Sequence, residues 1–450
     1  MRGSYESSSV PVIAVVGLFC ILKFGMAIAL LAGNSGVFLY GDGQEYATLA
    51  ETWYRVGTYA RSVDAAPEIF RLPGYSAFLL LAQPLDEAHR YAIVSMAQVV
   101  LLHVWLLLVG RWIQRRFGVA SALVFITLLS LTITWIHYPA TIHADFQFAV
   151  LVFTGLVFSL EAARATHGRP VLLVSSALCW MGAVLTRPDL AVFPAWLLVA
   201  VTASAIWNRW RPRRRVDVGG QIVVLVAVSA TILLWAARNF LASGRFTYTA
   251  VFDYAVDLFA GGQLKPGAAV EGPRTDIALV DIVLGMARHV RTLVGESIPA
   301  LVKIFVSPGR WYLHRYAEVL GIPLETGAVP FFAAQEAGLP PIEMGYIGFN
   351  VGVSLLVGAT LLLFLWRLGR GTVAAPSEWI AMTVWVLLYF LLQKAAWGAF
   401  DPGNGPRYAM SMYPFIVFLG ALAVARPRWR ESDQHGTSGG EEVSKPPANR

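Results

Sequence analysis

Apolar residues run along this chain in long unbroken blocks, without the strict alternation of a half-buried strand or the spaced stripe of a soluble amphipathic helix. Windows of about 19 residues mark ten blocks, at roughly 10–32, 90–110, 118–137, 145–163, 170–186, 189–207, 218–237, 347–366, 377–396 and 408–425. A hydrocarbon layer of about 30 Å takes roughly 20 helical residues to cross, and a chain within it must satisfy its own backbone hydrogen bonds. The blocks are therefore expected to be transmembrane helices. Their length and continuous hydrophobicity exclude a closed barrel, whose strands alternate. The fold class expected is an all-α polytopic membrane protein, a bundle of about ten transmembrane helices.

The arginines fix an orientation. With these ten spans, the groups Arg111/Arg115/Arg116, Arg164/Arg169, Arg209/Arg211/Arg213/Arg214/Arg215, Arg367/Arg370 and Arg426/Arg428/Arg430 all fall on one side. By the positive-inside tendency that side is cytoplasmic, and both termini lie there. One missed span would put half the later groups on the wrong face, and none is misplaced. The first block is longer than the apolar region of a cleavable signal peptide and reads as an uncleaved anchor.

The outer connections are unequal. Residues 33–89 and 238–346 form two loops too long and too apolar to be simple connectors. In the first, "RLPGYSAFLLLAQPL" (71–85) carries an apolar stretch too short to span, which predicts an interfacial or re-entrant helix. In the second, "DIVLGMARHVRTLVGESIPALVKIFV" (281–306) alternates apolar and basic positions at helical spacing, predicting helices that lie on the membrane surface. No internal repeat is found. Residues 1–430 read as a single membrane domain, and the polar stretch 431–450 reads as a disordered cytoplasmic tail.

Composition adds little to this and removes some function classes. The chain is 56% apolar and 14% charged, with a formal charge of +7. The excess sits at span ends, so it reports topology and not a nucleic-acid partner. Cys20 and Cys179 both fall inside predicted spans without motif spacing and read as packing residues.

The candidate chemistry gathers on the outer face. "YGDGQEYATLAETWYRVGTYA" (40–60) follows the first span and places Asp42 between glycines that let backbone approach a ligand. Glu45, three residues on, shares a face with Asp42 if the segment from Gln44 is helical. Capping of a helix over 44–57 explains Asp42 equally well. Asp145 in "HYPATIHADF" stands beside His137 and His143 at the start of the fourth span, where capping is again the simpler reading. A divalent metal held by these three stays open, although their spacing matches no metal signature. The aromatics Tyr46, Trp53, Tyr54, Tyr75 and Tyr254 are expected to form interfacial belts.

Three arginines on this face are more informative, since arginine at a span end is costly unless it meets water or an anion. Arg187 lies in the short turn "LTRPDL", Arg238 closes the seventh span in "WAARNFLASGR", and Arg407 opens the tenth in "NGPRYAMSMYP". Snorkelling accounts for any one of them. Together with Asp42, and with Lys394 behind them, they suggest a phosphate site beside a carboxylate.

In order along the chain, "GDGQEYATLAETWYRVGTYA…RLPGYSAFLLL", "LTRPDLAVFP", "ARNFLASGRFTYTAVFDYAVDLFAG" and "RYAMSMYPFIVFL" resemble the pattern of the GT-C superfamily of polyprenyl-phosphate-dependent glycosyltransferases, notably the protein O-mannosyltransferases and the lipid A aminoarabinose transferase. The resemblance spans roughly residues 10–425. It implies a GT-C-like bundle in which an acid of the first outer loop is the catalytic base, and Asp42 matches that position. Where such enzymes commonly carry an acidic pair this chain has Asp42-Gly43, leaving Glu45 as second participant. Asp145, with His143, matches a region holding another functional acid, although "HAD" departs from the usual pattern. Arg187 and Arg407 match basic positions near the donor phosphate.

The implied partners are a polyprenyl-phosphate-linked sugar, an acceptor hydroxyl on a glycolipid, polysaccharide or protein, and membrane lipids. No cofactor is implied. The implied location is a bacterial inner membrane with the site on the periplasmic or extracellular face. The rival expectation is a flippase or transporter for lipid or lipid-linked sugar, which also needs acids and arginines near the bilayer but usually shows paired halves and broken helices.

Overall fold

Long apolar blocks in hydrocarbon have no water to bond their backbone, and a helix bonds its N–H and C=O groups within the segment, so they form helices wherever nothing breaks them. A computed structural model describes residues 10–33, 39, 41–87, 89–210, 217–250, 341–373, 375–400 and 409–425. Thirteen α-helices are present among them: α1 (Val10–Gly33), α2 (Asp42–Val56), α3 (Pro73–Leu80), α4 (Arg90–Phe117), α5 (Val119–Leu131), α6 (Ile133–His137), α7 (Ala144–Ala162), α8 (Arg169–Thr186), α9 (Phe193–Trp210), α10 (Val218–Ser243), α11 (Pro341–Gly369), α12 (Ser377–Phe400) and α13 (Tyr413–Ala423). The described residues form no strand, only an isolated bridge between Ala60 and Pro67. The expected surface helices over 281–306, most of the loop 238–346, Tyr254, Arg407 and the tail 431–450 lie outside the described residues.

Among the described residues, eight helices are long and apolar enough to cross a membrane, and the chain is a multi-pass membrane protein. The third expected span, 118–137, is not one helix. α5 ends at Leu131, and the following segment turns by 81°. Thr132 sits at the break in extended conformation (φ −67, ψ 133), with its hydroxyl donating to the Leu129 carbonyl at 2.8 Å. A threonine that bonds its own preceding turn competes with continuation of the helix, and windowed hydropathy does not register that competition. The tenth expected span is represented by the 11 residues of α13.

The core lies where α4, α5, α7, α8, α12 and α13 meet, and aromatic rings fill it. Trp105 stacks on Trp135 at 5.4 Å, Trp112 on Trp379 at 5.6 Å, and Phe125 on Phe153 at 5.6 Å. Polar pairs tie helix ends at one end of the bundle. Arg116 at the end of α4 holds Glu161 near the end of α7, Arg169 opening α8 holds Asp217 before α10 at 2.7 Å, and Arg367 late in α11 donates to the Ala423 carbonyl of α13. These belong to the ends that the arginine pattern assigned to one side. The other end carries α2, α3 and the loop between them.

Candidate active site

Asp42 opens α2. The preceding Gly41 has φ 50 and ψ −127, a backbone region where only glycine rests without strain. Gly43 is buried so close to the chain beyond α6 that an added Cβ would stand 2.1 Å from the Ile142 carbonyl oxygen. No side chain caps α2, so Asp42 does not act as the N-cap that its spacing equally allowed. It lies instead in the first helical turn with Glu45, where the free N–H groups favour negative charge.

The loop 57–72 crosses over this turn and delivers cations to it. Arg71 donates from Nη2 to Asp42 Oδ1 at 2.7 Å and from Nε to Glu45 Oε2 at 2.9 Å. Arg61 reaches Glu45 Oε2 at 3.2 Å and Glu68 Oε2 at 2.7 Å. Glu68 is buried, and its Oε1 accepts the backbone N–H groups of Phe70 at 2.5 Å and Arg71 at 3.2 Å. Burial pushes the Glu68 carboxyl up, but the Arg61 hydrogen bond and the two backbone donors outweigh it and hold the acid below its ordinary value. For Arg71, burial works against the charge, while Tyr46, Glu45 and Asp42 hold the guanidinium above its usual range. The Arg71 guanidinium lies 5.1 Å from the Phe70 ring centre and 5.6 Å from that of Tyr46. Asp42 and Glu45 keep partial exposure, with side chains 21% and 37% accessible, so a ligand can reach them.

The end of α10 closes against the same loop. Arg238 donates to the Glu68 carbonyl at 2.7 Å and to Asn239 Oδ1 at 2.9 Å, with its guanidinium 4.7 Å from the Trp235 ring centre. Thr249 donates to the Phe70 carbonyl at 2.6 Å, and the Ala250 N–H to that of Ile69 at 2.9 Å. Arg238 thus joins the loop that carries Arg71 through the Glu68 backbone, with neutral acceptors as the hydrogen-bond partners that the structure gives it.

A second network lies at the start of α7. Arg187 donates from Nη1 to Asp145 Oδ1 and from Nε to Asp189 Oδ2, both at 2.5 Å. Asp189 also takes the buried Lys394 ammonium of α12, and its carbonyl accepts Tyr389 at 2.5 Å and Gln393 at 2.7 Å. The helix has no side-chain cap, so Asp145 does not serve as one. His143 Nδ1 is 3.9 Å from Asp145 Oδ2. No group of three His, Cys, Asp or Glu side chains is placed to hold a metal among the described residues, the trio of Asp145, His137 and His143 included.

The expected partners are therefore distributed. Asp42 and Glu45 are brought together, by Arg71, and Arg238 lies beside their loop. Arg187 and Lys394 are engaged by Asp145 and Asp189 in the second network. Tyr75 stands between the two, its ring 5.3 Å from Tyr46 and its hydroxyl donating to Gln98 Oε1 at 2.8 Å. Tyr46 and Tyr75 are both buried, which corrects the interfacial-belt expectation for these two: their rings pack between α2, α3 and α4. Arg61, Glu68, Arg71 and Asp189 went unnoticed in the sequence. The available signal was weak, an arginine just before Leu-Pro and an aspartate two residues beyond Arg187.

No family model matches the chain, and no curated protein matches it. Three solved structures are similar to it. The crystal structure of ArnT from Cupriavidus metallidurans bound to undecaprenyl phosphate is 17% identical, over 92% of this chain and 78% of that one, with a TM-score of 0.41. The same protein in the apo state gives 15% identity, 90% and 77% coverage and a TM-score of 0.36. The apo oligosaccharyltransferase of Archaeoglobus fulgidus gives 14% identity and a TM-score of 0.35, over 89% of this chain and 56% of that one.

Proposed function

We propose that the protein is a membrane glycosyltransferase of the GT-C type, moving a sugar from a polyprenyl-phosphate donor to an acceptor hydroxyl on the face that carries α2. The observation that supports this reading is the Asp42–Arg71–Glu45 group: two accessible carboxylates at the matching position of the first outer loop, held by one guanidinium, with Arg238 bonded to the backbone of the same loop.

In this reading the acceptor oxygen attacks the anomeric carbon while its proton passes to Asp42. The bond from that carbon to the carrier phosphate oxygen breaks, and polyprenyl phosphate leaves with the electron pair. A single displacement inverts the anomeric configuration. The Arg71 hydrogen bond holds the Asp42 carboxylate in place, and general-base help of this kind contributes about 10²- to 10⁴-fold. The leaving phosphate needs a cation that it can reach, and the Arg187 and Lys394 side chains are only 12% and 2% exposed among carboxylates. Arg238 meets that need better than Arg187 or Lys394, and Arg407 remains a candidate from its position in the sequence. Arg187 and Lys394 fit a structural part, clamping α7, the 188–190 turn and α12. The site on the non-cytoplasmic face of a bacterial inner membrane, with both termini cytoplasmic, completes the proposal.

The test uses purified protein in vesicles with a radiolabelled polyprenyl-phosphate sugar and a hydroxyl acceptor. New glycoside of inverted configuration is expected from wild type, and movement of the labelled lipid across the bilayer without glycoside would replace this reading by the flippase one.

A further inference from the structure

A cavity of about 180 Å³ lies in the half of the bundle away from Asp42, between α7, α8, α9, α10 and α12. Its inner wall is apolar, built by Leu156, Phe193, Leu197, Val224 and Val386, with Trp180 and Trp385 alongside. The inner end is shut off from the second charge network: Phe193 stacks on Trp180 at 4.9 Å and meets Tyr389 edge-on at 4.9 Å. At the other end stand Asp217, Gln221 and Glu378. Arg169 reaches that rim through its bond to Asp217 and keeps a side chain 44% exposed.

Three features define what fits. A water in such a space needs two to four polar partners, whereas apolar voids near 150 Å³ stay dry and take up apolar molecules. The Gln221 residue is 8% exposed, and its Oε1 has no hydrogen-bond partner among the described residues, nor has Trp385 Nε1. A buried amide oxygen left without a donor is costly. Finally, the rim combines acceptors on Gln221 and Glu378 with the guanidinium of Arg169, whose partner Asp217 is also bonded to the Gly220 N–H at 3.0 Å. An ammonium matches the acceptors and a phosphate matches the guanidinium.

We infer that this cavity takes up a segment of one acyl chain of an ethanolamine phospholipid, with the ammonium group at Gln221 and Glu378 and the phosphate at the exposed guanidinium of Arg169. The surrounding leaflet supplies such chains directly, and the headgroup sits where the helices reach the membrane boundary. The site is separate from the proposed transfer chemistry and does not depend on it.

Full-length protein is stripped of lipid in detergent and titrated with dioleoyl phosphatidylethanolamine or dioleoyl phosphatidylglycerol, with native mass spectrometry counting retained lipid and thermal unfolding read in parallel. One retained ethanolamine lipid per chain and a raised unfolding temperature are expected, with the glycerol lipid markedly weaker. Ala200→Leu fills the cavity and should abolish that retention, while Gln221→Leu should keep the fold and remove the preference for ethanolamine. Equal retention of both lipids overturns the inference, as does unchanged retention in Ala200→Leu. Displacement of the ethanolamine lipid by polyprenyl phosphate would likewise overturn it, assigning the space to the carrier's tail. Should Ala200→Leu not fold, Gln221→Leu alone decides: an unaltered preference between the two lipids rejects the headgroup assignment.

Discussion

Asp42 is one hydrogen bond from Arg71 and one helical turn from Glu45, so its neighbours can be separated by substitution. Asp42→Asn preserves size and one acceptor. Transfer is expected to fall by at least about 10²-fold with donor binding and unfolding temperature retained; full activity would remove Asp42 as base. Arg238→Ala should chiefly weaken donor affinity, measured by titration with the labelled lipid, and an unchanged affinity would take it out of the phosphate site. Glu68 is the pH-sensitive member. Its folded-state acid lies below the ordinary value of 4.5, so its contribution to stability is complete above about pH 4.5 and is lost as pH falls through the depressed folded value. Thermal unfolding between pH 6 and pH 3 should show this loss, and Glu68→Gln should flatten that part of the profile.

Among the elements, α2 depends on an approach that allows no side chain. A Cβ on Gly43 would meet a backbone carbonyl oxygen, which cannot swing aside as a flexible side chain would. Gly43→Ala is expected to displace α2 and cost about 1–3 kcal/mol, the usual scale for overpacking, read as a lowered denaturation midpoint. Transfer should fall with it, because Asp42 and Glu45 move as one body with the helix. The break at Thr132 illustrates a limit of reading elements from hydropathy. The window over 118–137 averages as apolar despite Ser121, Thr127, Ser130, Thr132 and Thr134, yet the Thr132 hydroxyl bonds backward and the chain turns into α6, with His137, His143 and Asp145 buried. The apolar blocks at 90–110, 170–186 and 218–237 mark the start of α4, both ends of α8 and the start of α10, while α4 and α10 run on to Phe117 and Ser243.

For the whole molecule, the arginine pattern makes a directional claim. With Cys20 and Cys179 replaced, a single cysteine at exposed Ser62 should react with an impermeant maleimide from outside intact cells. One at exposed Thr166 should react only after permeabilisation; the reverse pattern would invert the topology. Arg116, Arg169 and Arg367 tie helix ends that the same pattern groups together, and the labelling decides which compartment those ends face.

The residues alone determined that the chain crosses a membrane as helices, because satisfying a backbone in hydrocarbon leaves no other continuous option for such long apolar blocks. They also marked Asp42 and Glu45 as a pair, since a spacing of three is a local geometric fact. Which cation serves which acid was decided only by the fold. Arg71 is 29 residues from Asp42, Lys394 is 205 from Asp189, and the Arg238 donor is 170 from the Glu68 carbonyl. Charges so far apart in the chain meet only when packing of uncharged helices brings them to the same end, and no local pattern records that packing.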